Sequence, residues 1–509
     1  MTDQLAKDYK RLLEKVKDSI VLQSVQMLVD WDRQTMMPPK GISLRSQQLS
    51  LLSRIEHKIS TDPEIGKLLK DITQSTYYED LNTVQKRNIY LIQKRYDEQT
   101  ALPEKLVAEI AKQRAIAVDA WKKAKAAKNY AMFKPDLEKI VDLQKKAADI
   151  LMNVKKTATS YDALLDVYEP KMTTETITKV LNQLRTGLIL ILRKCENSQN
   201  QPNTDILWQR VPIETQRRIS KALTEFIGYD VSSKEAGGRI DETEHPFATG
   251  YYDDVRITMH YYEDDFAAGM FGLLHEAGHA IYEQNLRQEW IYQPVGTAAS
   301  YGFSESQSRM MENIIGRSQE FWSYFLPNVK IIASSLDLDL KQFVHAINRV
   351  EPSKIRLEAD EVSYGLHITV RFNLERDLFA DKVTVEELPE IWNQSYEKYL
   401  GVKIENDSEG LMQDIHWASG LFGYFPTYAL GNIYSGQIME TMEKTLPDWR
   451  KQVALGKIKV VTDWLTKNVH SYGNLYDPPE LIKKIVGKEL NVKPYLKYLE
   501  QKCSELYGF

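Results

Sequence analysis

The chain has 509 residues, 43 % of them hydrophobic and 27 % charged, with a net charge of −5 at pH 7. This mixture is typical of a folded globular protein, and the missing basic excess excludes nucleic acid as an expected partner. The sequence has no apolar run long enough to cross a membrane and no apolar leader, so we expect no membrane association. Cys195 and Cys503 are the only cysteines, which favours a reducing cytoplasmic location.

The first half of the chain is predicted to be helical. Glycine is absent between Gly66 and Gly187, and Ala, Lys, Leu and Glu, which favour helices, are abundant there. Pro103 and Pro135 suit the first turn of a helix, so long helices are predicted to follow each of them. We expect a mostly N-terminal helical lobe over residues 1–235.

The pattern changes at residues 237–240, Gly-Gly-Arg-Ile, which are typical of a turn. Shortly afterwards polar and apolar residues alternate, which predicts a strand with Val255, Ile257 and Met259 on one face. Helical patterning then resumes to the end of the chain.

Length alone predicts about three domains, but no linker or internal repeat separates them. We therefore predict one mainly α domain over residues 1–509, with a bundle-like helical body in two lobes and one small β-sheet. Residues 236–509 are expected to form the catalytic portion, because the motif described next lies there.

The motif His275-Glu276-Ala277-Gly278-His279 predicts a metal site. Histidines at this spacing lie on one face of a helix, and neutral imidazoles so placed bind Zn²⁺. Glu276 follows the first histidine and is the predicted general base toward water. The apolar residues around the motif indicate a buried helix, where polar groups without a purpose are costly.

The third ligand separates the classes of enzyme that carry this motif. A metzincin needs a histidine where this chain has Asn285, and Glu283 lies one turn further along the helix, pointing away from a shared metal. Glu305 is the better candidate; it follows Ser304, a predicted N-cap with Gln307 as its capping-box partner. The alternative for Glu305 is an acid placed in the first turn by the helix dipole.

Several motifs in a fixed order resemble the carboxypeptidase Taq family of metallocarboxypeptidases, and the resemblance covers essentially the whole chain. The motifs are Asp30-Trp31-Asp32, His245-Pro246-Phe247, Asp254-Val255-Arg256-Ile257-Thr258, His275-Glu276-Ala277-Gly278-His279, Glu305-Ser306-Gln307, Ile355-Arg356-Leu357-Glu358-Ala359-Asp360 and Gly410-Leu411-Met412-Gln413-Asp414-Ile415-His416-Trp417.

This resemblance implies a mostly α-helical fold around a deep groove. It also implies a zinc or cobalt ion held by His275, His279 and Glu305, with Glu276 as the base. The implied activity is removal of C-terminal residues from peptides, and the implied assembly is a homodimer. One position departs from the family, which usually carries a histidine where this chain has Ser304.

Two regions beside the motif are candidates for substrate contact. The strand before the motif is predicted to be an exposed edge that pairs with an extended peptide. Within it, an Asp254–Arg256 ion pair is favoured over contact of Arg256 with substrate. His245 precedes this strand, and both a structural and a substrate-binding role are open for it.

Amide hydrolysis builds negative charge on the carbonyl oxygen, so a hydrogen-bond donor aimed there lowers the barrier. His416, Tyr424 and Tyr428 are the candidates for this donor. The neighbouring Phe422 and Phe425 are predicted to pack in the core.

A carboxypeptidase must also bind the free terminal carboxylate, and a guanidinium group suits this task. After Pro352 the pattern predicts one long helix, on which Arg356 and Arg371 share a stripe that faces a cleft. Arg356 is the predicted anchor and Arg371 the reserve, while the alternative is a solvated face with an Arg356–Asp360 pair.

The sequence thus predicts a cytoplasmic, metal-dependent carboxypeptidase that acts on peptides with broad specificity. The alternatives are a related helical gluzincin working as an oligoendopeptidase or dipeptidyl carboxypeptidase, and a non-catalytic helical binding protein. The intact Glu276 argues against the last, because inactive relatives commonly lose the base.

Overall fold

A computed structural model describes residues 3–509, and helices make up most of it. The helices before the sheet are α1 (Asp3–Thr35), α2 (Ile42–Ser60), α3 (Pro63–Thr73), α4 (Thr83–Ala101), α5 (Glu104–Ala127), α6 (Lys134–Lys155), α7 (Ser160–Tyr168), α8 (Thr174–Glu196) and α9 (Ile213–Ile227). The strands are β1 (Gly238–Glu242), β2 (Ala248–Tyr251) and β3 (Asp254–Met259).

The helices after the sheet are α10 (Phe266–Gln284), α11 (Tyr301–Arg309), α12 (Gln319–Ile332), α13 (Leu340–Ile347), α14 (Tyr364–Phe379), α15 (Leu388–Leu400), α16 (Pro426–Thr445), α17 (Trp449–Ala454), α18 (Lys459–Asn468), α19 (Pro478–Val486) and α20 (Lys493–Tyr507). A π-helical segment, Met310–Ile315, continues α11. The predicted mainly α fold with one small sheet is confirmed. Between residues 3 and 509 no helix has both the length and the apolar character of a bilayer span.

Proline marks the helix starts that the sequence predicts. Pro103 is the N-cap of α5, and Pro135 lies in the first turn of α6. Proline is tolerated at these positions because the first backbone N–H groups of a helix have no partner within it. Both predicted helices are therefore confirmed.

The sheet corrects two predictions about the strands. Its order is β1-β3-β2, so β3 is the central strand, parallel to β1 and antiparallel to β2. The predicted exposed edge is thus wrong, because neighbours pair with both sides of β3. The turn predicted at residues 237–240 is also wrong, since Gly238 begins β1. The strands β1 and β2 are short and contain glycine, so their alternation is weak in the sequence.

Three hydrophobic clusters are present in residues 3–509, and the smallest consists of Tyr252, Tyr282 and Leu286. The largest core has members from Ala117 to Tyr507 and includes residues before, within and after the sheet, such as Leu223, Ile257 and Phe303. A smaller core, between Leu5 and Ile92, belongs to α1, α3 and α4 and the segment that joins them. A lobe boundary near residue 235 stays a prediction.

The single long helix predicted after Pro352 is wrong. Arg356 lies in a short 3₁₀ turn, and α14 begins only at Tyr364. Between them the Asp360 carboxylate accepts hydrogen bonds from the backbone N–H groups of Val362 and Ser363, at 2.8 and 3.0 Å. Such side-chain bonds to the backbone compete with helix formation, so the stripe inferred from a helical wheel does not exist.

Candidate metal centre

A groove of about 1200 Å³ runs along α10 and is bordered by α11, α16 and strand β2. Two glycines allow α11 to approach its neighbours closely enough to reach the groove. A side chain at position 278 would place its Cβ 2.6 Å from the Cα atom of Ser308, and one at position 431 would lie 2.5 Å from Cγ of Glu305. Gly278 and Gly431 are therefore the reason that Glu305 can face the histidines of α10.

The predicted ligand residues come together at this crossing. The Nε2 atoms of His275 and His279 lie 3.5 and 3.4 Å from Oε2 of Glu305. One candidate donor atom from each residue lies within 4.8 Å of the others. Two imidazole nitrogens and one carboxylate oxygen that converge in this way form a donor set typical of catalytic zinc sites, so these residues fit a divalent metal.

Each histidine is held by a partner on its far side. Nδ1 of His275 lies 2.9 Å from Oε2 of Glu312, and Nδ1 of His279 lies 2.8 Å from Oγ of Ser304. A bond at Nδ1 leaves Nε2 free to face the centre. Ser304 is not the predicted N-cap, because Ser300 caps α11 and Ser304 lies within it.

Glu312 is the residue that sequence reasoning missed as a histidine partner. It lies in the π-helical segment, which shifts the hydrogen-bond register relative to an α-helix. Its contact with His275 joins residues 37 positions apart in the chain, and a local spacing rule does not predict such a contact.

Arginines balance the carboxylates around the centre. Arg309 lies 2.7 Å from Glu305 and 3.2 Å from Glu312, and Arg317 lies 3.3 Å from Glu312. Burial alone would raise the pKa of Glu312, but the Arg309 charge and the hydrogen bond to His275 lower that pKa to about 2. Burial likewise opposes ionisation of Glu305, yet Arg309 and His275 hold its pKa well below the ordinary range. Both carboxylates are therefore ionised at neutral pH.

Glu276 differs from these acids. It is buried beside the ligand histidines and lines the groove, and its carboxylate has no ion pair or hydrogen bond within residues 3–509. Burial raises the pKa of Glu276 above its ordinary value. A carboxylate with no other partner and a raised pKa is well suited to proton transfer.

A second polar cluster lies further along the groove. Nε and Nη2 of Arg356 donate to Oδ1 of Asp414 at 3.0 and 2.8 Å, and Nη1 donates to the Tyr364 hydroxyl at 3.1 Å. The guanidinium of Arg309 lies 4.4 Å from the centre of the Tyr364 ring. Tyr364 thus connects Arg356 to the arginine that borders the metal centre on the His275 side.

Arg371 is placed differently from Arg356. It is fully buried and does not line the groove. Its nitrogens donate to Asp414, Gln413, the His367 carbonyl and the Tyr396 hydroxyl at 2.7 to 3.1 Å. Since these bonds engage every nitrogen of the guanidinium, Arg371 holds Asp414 in place and is not available to a ligand.

Comparison with known proteins identifies the family. The profile of the Carboxypeptidase Taq (M32) metallopeptidase family matches residues 11–503. This chain belongs to that family. It is 40 % identical over 516 residues to thermostable carboxypeptidase 1 of Thermus thermophilus, with 100 % of both chains covered. It is 37 % identical over 483 residues to carboxypeptidase 1 of Bacillus subtilis, covering 94 % of this chain and 95 % of the relative.

The fold agrees with the family. The M32 carboxypeptidase from Deinococcus radiodurans R1 matches with a TM-score of 0.94 at 32 % identity, over 99 % of this chain and 100 % of that one. The chain is therefore a metallocarboxypeptidase that uses a divalent metal. The predicted family and enzyme class are confirmed.

The predicted oxyanion donors of this M32 carboxypeptidase lie around the groove. Tyr424 and Tyr428 line it, with ring centres 5.3 Å apart. His416 lies behind them, its Nε2 3.3 Å from the Tyr428 hydroxyl. Burial lowers the pKa of His416 to about 4, so this imidazole is neutral. Phe422 and Phe425 are buried, as predicted.

Two predicted substrate-binding residues lie away from the groove. Arg256 forms the expected ion pair with Asp254, at 2.7 and 2.9 Å, and its guanidinium lies 4.3 Å from the centre of the Trp31 ring. Arg256 therefore joins the sheet to α1. His245 is exposed and is not among the groove-lining residues, although the next residue, Pro246, is one of them.

Proposed function

We propose that His275, His279 and Glu305 hold a zinc ion, with cobalt as the alternative, and that the enzyme removes single C-terminal residues from peptides with broad specificity. The observation that carries this proposal is the convergence of the three donor groups beside the unpartnered Glu276. When bound, the metal supplies a Lewis acid that polarises the scissile carbonyl group and lowers the pKa of water.

Glu276 acts as the general base in this proposal. Its carboxylate accepts a proton from the attacking water and then delivers it to the amide nitrogen of the departing residue. Its burial keeps competing hydrogen bonds away, and its raised pKa brings it closer to the operating pH. Glu312 and Ser304 keep the two imidazoles oriented by holding their Nδ1 atoms.

Tyr424 and Tyr428 stabilise the oxyanion. Burial raises the pKa of both phenols far above neutrality, so both hydroxyls stay protonated and can donate. His416 acts indirectly by positioning Tyr428, since its neutral ring meets the Tyr428 hydroxyl.

Arg356 anchors the terminal carboxylate of the peptide. A guanidinium has five N–H groups, and three of those of Arg356 are used by Asp414 and Tyr364. The remaining two are available to a carboxylate, and Arg356 lines the groove whereas Arg371 does not. This difference supports an exopeptidase and assigns Arg371 a structural role.

The decisive experiment compares a peptide with a free C-terminus and the same peptide amidated, followed by mass spectrometry. A carboxypeptidase releases one residue at a time from the free acid and fails on the amide. An oligoendopeptidase cuts both, and a dipeptidyl carboxypeptidase releases pairs. A non-catalytic binding protein leaves both peptides intact.

Three variants separate the proposed roles. Glu276→Gln keeps the metal and loses activity by about 10²-fold or more, because only the base is removed. Glu305→Ala emerges from purification nearly free of metal. Arg356→Ala lowers kcat/KM on free-acid peptides, which corresponds to a loss of about 2–4 kcal/mol of transition-state stabilisation. It also reduces the ratio of kcat/KM between free-acid and amidated peptides. Metal loss in Glu276→Gln, or metal retention in Glu305→Ala, contradicts the assignment.

The remaining expectations are parts of the same proposal. Both cysteines are free and buried, which supports a reducing cytoplasmic location. The homodimer follows from family resemblance, and light scattering of the purified enzyme measures it. A substrate contact by His245 requires movement of an exposed side chain toward the groove.

A further inference from the structure

Glu283 is a groove-lining acid that the proposed mechanism does not use. It lies on α10 seven residues after Glu276. At about 100° per residue the two side chains differ by about 20° around the helix, so they form one row along the groove floor. Their separation along the axis is about 10 Å. As expected from the sequence, Glu283 is not part of the metal-ligand group.

Glu283 has no partner in the part of the chain that the structure describes. Its carboxylate makes no ion pair and no hydrogen bond between residues 3 and 509, and burial raises its pKa to about 7. Of the other recessed acids of the groove, Glu305 and Glu312 contact arginine and Glu361 contacts Lys502 at 2.7 Å. Glu276 also lacks a partner, but the proposed mechanism uses it as the base. Glu283 is half-buried and lines the groove without a partner from the protein, so a positively charged group of the substrate is the partner that suits it.

The direction of the groove shows which part of a peptide passes Glu283. Arg356 connects through Tyr364 and Arg309 to Glu312, which holds His275. The anchor for the terminal carboxylate thus lies on the His275 side of the centre. Glu283 lies on the opposite side, one helical turn beyond His279, where the residues upstream of the cleaved bond must run.

An aromatic ring borders the groove near Glu283. It belongs to Tyr251 on the edge strand β2, which lines the groove. Tyr251 packs against the small cluster of Tyr252, Tyr282 and Leu286, whose last two members flank Glu283 in the chain. Burial, with a smaller contribution from the Glu283 charge, raises the pKa of Tyr251 to about 12. A carboxylate beside aromatic faces is a favourable environment for an ammonium or guanidinium group.

We propose that Glu283 and Tyr251 form an upstream subsite that binds a positively charged group of the peptide substrate. An extended chain advances about 3.3 Å per residue, so this group lies about two or three residues before the cleaved bond. It is either a lysine or arginine side chain or the α-ammonium group of a short peptide. This subsite rests on the proposed function, because that function sets the direction of the peptide.

Two pairs of peptides distinguish the sources of charge. In the first pair, acetylated peptides differ only by lysine or norleucine at the second or third residue before the cleaved bond. In the second pair, a tetrapeptide carries a free or an acetylated amino terminus. We expect the wild-type enzyme to favour the charged member of at least one pair by about tenfold or more in kcat/KM, with most of the difference in KM.

Variants at position 283 test whether this carboxylate is responsible. Glu283→Gln should bring the ratio within each pair close to one, and Glu283→Lys should favour a peptide with glutamate in place of lysine. Glu283→Asp keeps the charge and should retain part of the preference. Glu358→Gln is the matched control, because it removes an exposed acid from the Arg356 end of the groove and should leave the ratios unchanged.

Equal kcat/KM values of the wild-type enzyme within both pairs would overturn the subsite, and this result does not depend on the folding of any variant. An unchanged preference in folded Glu283→Gln would also overturn it. Failure of the proposed function has a different signature, namely cleavage of amidated peptides or full activity of Glu276→Gln.

Discussion

The N-terminal helices α1 to α4 and the rest of the chain are both helical, yet different interactions hold them. The first region has its own small core, and it carries several apolar side chains that are at least 40 % exposed, including Val25, Leu44 and Leu51. From Ala117 onward one continuous core joins helices that are distant in sequence, and all the proposed metal ligands lie on helices of that core.

The two regions meet mainly through polar and aromatic contacts. Trp31 of α1 lies under the guanidinium groups of Arg239 and Arg256, at 5.0 and 4.3 Å. On α4, Arg87 forms an ion pair with Asp477 at 2.8 Å. A few side chains thus position the N-terminal region, whereas burial over many residues positions the centre. Substitutions in the N-terminal region should therefore lower its stability without changing metal binding, whereas substitutions around the centre should lower metal affinity.

The largest effect on metal binding is expected where two backbones touch in the catalytic body. In Gly278→Ala the new Cβ would meet the Ser308 Cα atom and the Gln307 carbonyl oxygen, which cannot rotate away. Separation of α10 from α11 should lower metal affinity by about 100-fold and stability by about 1–3 kcal/mol. Chelator competition and thermal unfolding measure these losses.

Gly272→Ala on the same helix is the control for Gly278→Ala. Its Cβ would meet only the end of the flexible Met259 side chain, at 3.3 Å. If both variants keep wild-type metal affinity, close packing of α11 does not hold the centre.

A core change in the N-terminal region should destabilise that region alone. Leu12 is fully buried in the small core, so Leu12→Ala should cost about 2–4 kcal/mol there. Faster hydrogen exchange in α1, α3 and α4 is expected, with metal content unchanged. Loss of metal in this variant would show that the two regions fold as one unit.

Removal of a docking contact should have a smaller effect. Trp31→Ala leaves Arg239 and Arg256 without their aromatic partner and should weaken the docking of α1 by about 1–2 kcal/mol. Limited proteolysis near the end of α1 should become faster while metal affinity stays constant. Unchanged proteolysis would mean that other contacts hold the region.

The smallest effect is expected on the exposed apolar face of the N-terminal region. Leu44 is 66 % exposed, so Leu44→Gln should change the free energy of unfolding by less than about 0.5 kcal/mol. Chemical denaturation measures this value. A loss comparable to that of Leu12→Ala would show that this face is covered in solution.

Much of the candidate site could be predicted from short-range pattern. The spacing of His275 and His279 is set by helix geometry, and Glu276 follows from its place in the motif. Elimination and family resemblance predict Glu305, and its Oε2 lies 3.5 and 3.4 Å from Nε2 of His275 and His279. Proline positions likewise predicted the starts of α5 and α6, because proline acts on the backbone of its own helix.

Tertiary structure alone decided the remaining features, because each depends on residues far apart in the chain. The sequence favours Arg356 over Arg371 only through the family motif, whereas in the structure Asp414, Gln413 and Tyr396 engage the guanidinium of Arg371. The packing of α10 against α11 and the π-helical segment after it gives His275 its partner Glu312 and His279 its partner Ser304. Local propensity cannot encode such contacts, since their energies arise only after distant segments pack together.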